Sequence, residues 1–166
     1  RPFRRQRQMC IRDSSQGERA ITVIGERLAP NYRDNLDWDI LKKMDGIFIT
    51  ASDSEIFKMA RSASILCTTP RVGINTINKS NVSLDGLIGS NLDPGEEFSF
   101  SELLVKPKYT IKTEGEKGGI IFPGGRYEAL KNKDRKVDSY GCGDSFAAGI
   151  LYGMASKWDI DKSLNL

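Results

Sequence analysis

Nine consecutive residues, Asp138-Ser139-Tyr140-Gly141-Cys142-Gly143-Asp144-Ser145-Phe146, set an acid, a two-glycine turn and a second acid directly before an apolar run. Phe146, Ala147, Ile150, Leu151 and Met154 recur at helical spacing, so a buried helix is predicted to begin at Cys142 or Gly143. The first amides of a helix have no intrahelical partner, and the helix dipole adds partial positive charge at the same point. Glycines at 141 and 143 carry no side chain to block a close anion, which favours phosphate oxygens there. Asp144 sits in that first turn, where a carboxylate can take a proton from an attacking hydroxyl. The combination has the parts needed for phosphoryl transfer. A lone Gly-x-Gly-Asp is more often a capped helix whose acid merely complements the dipole.

Two further segments carry chemistry only in combination with the first. Thr113-Glu114-Gly115-Glu116-Lys117-Gly118-Gly119 runs from a predicted strand end into a glycine-spaced loop, and loops of this kind commonly do no more than turn the chain. Ser90-Asn91-Leu92-Asp93-Pro94-Gly95-Glu96-Glu97 follows another strand. Read alone it is an acidic helix start, with Asp93 as cap and Glu96 completing a capping-box-like arrangement. Gly17-Glu18-Arg19 precedes a strand and Pro70-Arg71 follows one; each arginine read by itself is an ordinary solvated charge.

The nine-residue string resembles the C-terminal signature of the ribokinase-like, phosphofructokinase-B-type carbohydrate kinases, Asp-Thr/Ser-x-Gly-Ala/Cys-Gly-Asp-x-Phe/Tyr, and every constrained position matches. The resemblance implies Asp144 as catalytic base, Gly141, Cys142 and Gly143 as an anion hole closed by Asp144, and Asp138 in an adjoining potassium site. It makes Thr113, Gly115 and Gly118 nucleotide contacts, through the family's Thr-x-Gly-x-x-Gly loop. It aligns Asp93-x-x-Glu96 with the Asn-x-x-Glu that organises magnesium, usually through water. Asp93 departs from that pattern, and Asn91 fills the position in a shifted register; both registers stay open. Arg19 matches an arginine near the family's substrate lid.

The same resemblance implies a ribokinase-like α/β fold, a three-layer Rossmann-type sheet with helices on both faces, here incomplete. The implied activity is ATP-dependent phosphorylation of a hydroxyl on a sugar or related small molecule, with Mg2+ and K+ as ions. Nucleoside kinases of the same fold are an alternative, as is an inactive nucleotide-binding relative or fragment. A homodimer is compatible with the full-length protein. A dinucleotide-binding Rossmann enzyme fits less well, because Gly141-Cys142-Gly143-Asp144 lacks the third glycine and the ribose-binding acid that follows.

Short apolar runs alternating with helical patterns must position these groups. Strands are predicted over residues 21–24, 46–50, 64–67, 85–89 and 109–113, and a largely parallel sheet follows from their alternation with helical segments. A short helical pattern covers residues 39–44, and Ser52 or Asp53 is placed to cap a helix running to Arg61. Residues 119–122 and 126–129 form a hairpin about Pro123-Gly124-Gly125. In open sheets of this kind ligands bind beyond the carboxyl ends of the strands, where all three motifs fall.

Residues 4–14 match, one for one, the translation of a common transposase-type sequencing adapter. Residues 1–14 are therefore expected to be a non-native, disordered segment, and residues 15–166 a partial kinase domain covering the family's middle and nucleotide-binding part, cut at both ends. The net charge of +3 over 166 residues owes its sign to that segment; without it the balance is 20 basic against 21 acidic residues. No basic surface for nucleic acid remains, and no apolar run approaches a membrane span of about 20 residues. Of three cysteines, Cys67 and Cys142 lie beyond the segment and form no metal or disulfide pattern, which favours a cytoplasmic location.

Overall fold

Parallel strands must be covered on both faces, and the apolar runs of this chain alternate between two cores accordingly. The computed structural model describes residues 8–13, 19–24, 29–130 and 141–165. Two strands, β1 (Gln8–Asp13) and β2 (Arg19–Ile24), pair antiparallel as a separate sheet. The main sheet has six strands in chain order: β3 (Gly46–Ile49), β4 (Ile65–Thr68), β5 (Gly86–Ser90), β6 (Tyr109–Thr113), β7 (Gly119–Phe122) and β8 (Gly125–Tyr127). β3 to β6 are parallel, while β7 and β8 add antiparallel at one edge.

Helix α1 (Ser54–Ala60) begins where expected, with the Asp53 carboxylate accepting from the amides of Glu55 and Ile56. With α2 (Ile74–Ser80) it covers one face, packing Ile56, Phe57 and Ile77 against Ile49, Leu66 and Leu87. The opposite face holds Cys67, Ile88, Ile111 and Ile121 against Ala147, Ile150 and Met154 of α3 (Cys142–Ala155), with α4 (Ile160–Leu164) alongside. Neighbours such as Leu66 and Cys67, or Leu87 and Ile88, thus feed different cores, as the period of two requires. The result is the three-layer sheet expected from the sequence.

Three expectations are corrected in detail. Residues 39–44 were expected to be helical, but Trp38–Lys43 forms 3-10 turns with no buried residue and no side-chain cap, so little holds a full α-turn there. The second hairpin strand is Gly125–Tyr127 rather than 126–129. Disorder was expected over residues 1–14, yet the structure places Gln8–Asp13 in a strand. The β-branched Ile21, Thr22, Val23 and Ile24 supply a ladder to which an extended neighbour can pair whatever its own period. Residues 1–7 and 14 lie outside the described residues.

Helix α3 and helix α4 meet at Gly153, where an added Cβ would fall 2.3 Å from Ser163 Oγ and 3.2 Å from its Cα. Alanine in place of a helix-interior glycine gains about 1 kcal/mol of propensity, whereas overpacking costs about 1–3 kcal/mol. The nearby backbone leaves little room to yield, so Gly153→Ala is expected to destabilise the fold in urea unfolding. Gly143→Ala, whose Cβ would meet nothing within 4 Å among the described residues, serves as control and should not share the loss.

Candidate active site

The direction of α3 fixes where its first turn lies. Near its C-terminal end, Leu151 and Ala155 pack at Gly46, the first residue of β3; a Cβ there would sit 3.1 Å from Leu151 Cδ1. Near the start of α3, the Phe146 ring stacks on Tyr127 at 6.1 Å and 7°. Tyr127 pairs with Gly119, which pairs with Thr113 at the end of β6. The helix therefore runs against the parallel strands and brings its N-terminus to their carboxyl ends.

At that N-terminus Gly141 adopts φ 79° and ψ 0°, a left-handed conformation that favours glycine. Among the described residues, Cβ atoms added at Gly141 or Gly143 would meet nothing within 4 Å, so none of those residues blocks the approach to the first amides. Cys142 and Asp144 are exposed, and Asp144 occupies the first turn. Asp138 lies outside the described residues, and so does its cation role. Arg19 begins β2, a backbone position that says nothing of substrate.

Thr113 ends β6, and the loop after it holds Gly115 and Gly118, both at positive φ, 62° and 82°. Gly118 is obligatory: a Cβ there would fall 2.0 Å from the Tyr127 carbonyl oxygen. The loop is joined to the one after β5 by Asn91, whose amide donates to the Thr113 carbonyl at 2.9 Å and whose Nδ2 donates to Glu114 Oε1 at 2.9 Å. Glu114 also takes Arg126 Nη2 at 2.5 Å. The Arg126 hydrogen bond, followed by that of Asn91, holds the Glu114 carboxyl below the usual range. The Tyr127 hydroxyl is buried without a partner among the described residues, and burial, then the Glu114 charge, pushes it up to about 12.

Asp93 and Glu96 stand in the loop after β5, and both face Arg71. Glu96, 9% exposed, accepts from the Ser90 amide at 2.6 Å, Arg71 Nε at 2.8 Å and Thr69 Oγ1 at 3.3 Å. Asp93 accepts from the Gly95 amide at 2.8 Å and from Arg71 Nη2. Asp93 is the expected cap, of a 3-10 turn over Pro94–Glu96. Glu96 does not complete a capping box; it reaches back to β5 instead. Gly89 makes room for it, since a Cβ there would lie 2.7 Å from Glu96 Oε2. A cleft of about 290 Å³ opens beside this loop between Asn91, Asp93, Phe98 and Lys112, with Lys112 Nζ 4.4 Å from the Phe98 ring centre.

Arg71 and Thr69 are the residues that sequence reasoning undervalued. Their signal was position: they follow β4, whose carboxyl end neighbours that of β5. Arg126 and Tyr127 gave no signal beyond a hairpin. Among the described residues no group of three or more His, Cys, Asp or Glu is placed to hold a metal ion, and no helix is long and apolar enough to cross a membrane. Cys67, in β4, is buried in the core that α3 covers, where burial, then the Asp85 charge, pushes its thiol up to about 12.

Residues 100–166 match the family described as pfkB family carbohydrate kinase. The match covers less than half of the chain, and the chain has the ribokinase-like fold. A search of curated proteins found no match. Among solved structures, ribokinase from Thermotoga maritima superposes with a TM-score of 0.65 at 18% identity, over 94% of this chain and 58% of that one. Adenosine kinase from Sinorhizobium meliloti gives 0.66 at 17% identity, over 95% and 57%. Ribokinase from Cryptococcus neoformans var. grubii serotype A, in complex with ADP, gives 0.67 at 18%, over 97% and 63%. Identity this low speaks for fold, and the chain spans less than two thirds of these proteins' length.

The Glu114 carboxyl is expected to titrate below ordinary glutamates, and Arg126→Gln to raise its midpoint. Because the folded value is depressed, the stability this pair contributes is present above the unfolded value and lost as pH falls through the folded one. Carbon-detected NMR titration of Glu114 in both proteins reads the shift; an unmoved midpoint refutes the pairing.

Proposed function

We propose that this chain is the nucleotide-binding part of an ATP-dependent kinase that phosphorylates a hydroxyl of a sugar or related small molecule. The observation that carries this reading is the start of α3: a left-handed glycine, open amides and an exposed carboxylate in one turn, set at the carboxyl ends of parallel strands. Support comes from the pfkB match over residues 100–166, and from the Cryptococcus ribokinase of the same fold, solved in complex with ADP. A Burkholderia thailandensis nucleoside kinase of this fold, solved in complex with inosine, keeps nucleosides within the acceptor class.

In this reading Thr113, Gly115 and Gly118 line the nucleotide, and the amides from Gly141 to Asp144 receive phosphate oxygens, where preorganised donors stabilise developing charge. Asp144 takes the proton of the acceptor hydroxyl as its oxygen bonds to the γ-phosphorus. The bond from that phosphorus to the bridging oxygen breaks and ADP leaves, so no covalent enzyme intermediate forms. Magnesium belongs to the ATP as substrate. Asp93 and Glu96 are poorly poised as its direct ligands, because the Arg71 guanidinium already lies across both and its charge opposes a second cation there. Asp138 is proposed as a potassium contact, Arg19 as a substrate contact, and the cytoplasm as the compartment.

Asp144→Asn, made in the longest natural polypeptide carrying this segment, is expected to cut turnover by about 10²–10⁴-fold while ATP affinity changes little. The amide preserves the turn but cannot accept the proton. Turnover near the unsubstituted rate would reduce Asp144 to a helix-dipole acid. Activity in the same protein should also be higher in potassium than in sodium at equal ionic strength; equal rates would remove the Asp138 assignment and leave the kinase reading standing.

A further inference from the structure

Two carboxylates three residues apart in a phosphate-side loop would ordinarily attract a divalent cation. Here their counter-charge is already covalently present. Arg71 approaches from the turn after β4 and spans both acids, Nε on Glu96 and Nη2 on Asp93. We propose that the Arg71 guanidinium is the resident cation of this loop, replacing a metal at Asp93 and Glu96 and locking the loop in the shape that lets Asn91 reach Glu114.

Three independent observations converge on this assignment. The first is satisfaction: a buried carboxylate is costly unless paired and hydrogen-bonded, and Glu96 has a charged donor, a backbone amide and a hydroxyl. A metal at Glu96 would have to sit beside the Arg71 guanidinium, whose like charge opposes it. The second is shape. The guanidinium is a planar fork whose separate N–H groups bond two acceptors at once, which neither a lysine nor a hydrated ion does in the same way. The third is the frame. Thr69 Oγ1 accepts from the Arg71 amide at 3.4 Å and donates to Glu96, while Gly89, lacking a Cβ, leaves space for the Glu96 carboxylate. The turn after β4 and the loop after β5 are thereby fastened at the strand ends.

The consequence is a division of labour among cations. Any divalent ion required for transfer arrives on the nucleotide, and the loop is already shaped before it arrives. This inference concerns the nucleotide-free chain and does not require that the chain transfer phosphate, so failure of the kinase reading leaves its test intact.

The test is a Mn2+ titration of the nucleotide-free chain, read by water-proton relaxation, alongside Arg71→Met, Asp93→Asn and the double variant. The unsubstituted chain and Asp93→Asn should bind Mn2+ equally weakly, because the acids are already occupied. Arg71→Met should bind it about tenfold or more tightly, the ratio that one unit of log affinity represents, and the double variant should lose that gain. Circular dichroism checks that Arg71→Met is folded. Should it not fold, the comparison of the unsubstituted chain with Asp93→Asn decides alone: equal binding supports the assignment. A Mn2+ site in the unsubstituted chain that Asp93→Asn abolishes overturns it, as does a folded Arg71→Met that binds no more tightly.

Discussion

Everything in this molecule follows from parallel pairing among β3, β4, β5 and β6. Parallel neighbours cannot be joined by a tight turn, so each junction must cross a face of the sheet. The crossings supply α1 and α2 on one side, and α3 returns to cover the other. Because the strands point the same way, every segment that leaves a carboxyl end leaves on the same edge. Thr69 to Arg71, Asn91 to Glu96 and Thr113 to Gly118 are gathered there by topology before any of them has a chemical role.

The edge so formed is electrostatically crowded, and its order comes from pairing acids with fixed bases. Arg71 holds Asp93 and Glu96, and Arg126 holds Glu114. Asn91 then joins the two groups through the Thr113 carbonyl and the Glu114 carboxylate. Asp144 stands apart from this network as an exposed acid at a helix start.

Much of this was legible in the sequence, for a physical reason in each case. Phe146, Ala147, Ile150 and Met154 show a helix through their spacing, and the glycines at 141 and 143 mark its opening, because both signals are local. The β4 and β5 runs were clear because strands buried on both faces are apolar throughout. Arg71 was not legible, since its meaning depends on a partner more than twenty residues away that only the β4–β5 pairing brings near. The same holds for Glu96: as a local pattern it reads as a capping acid, and only the packing around Gly89 turns it toward Ser90. Helix α2 escaped notice because Ile74 and Ile77 alone are too few to establish a period. Asp138 matches a motif yet lies outside the described residues, so its role rests on resemblance.

The strand order, which never skips a neighbour, bears on how the chain acquires its shape. Every sheet contact from β3 to β8 closes a loop within one strand-to-strand unit, so the sheet can lengthen strand by strand at a modest entropic charge for each closure. Helix α3 is the exception, for its Leu151 and Ala155 must find Gly46 across about a hundred residues of chain. That closure is far longer than any strand pairing in the sheet. The turn that bears Asp144 thus rests on the most distant closure in the sheet layers, and its geometry is only as firm as the docking of α3.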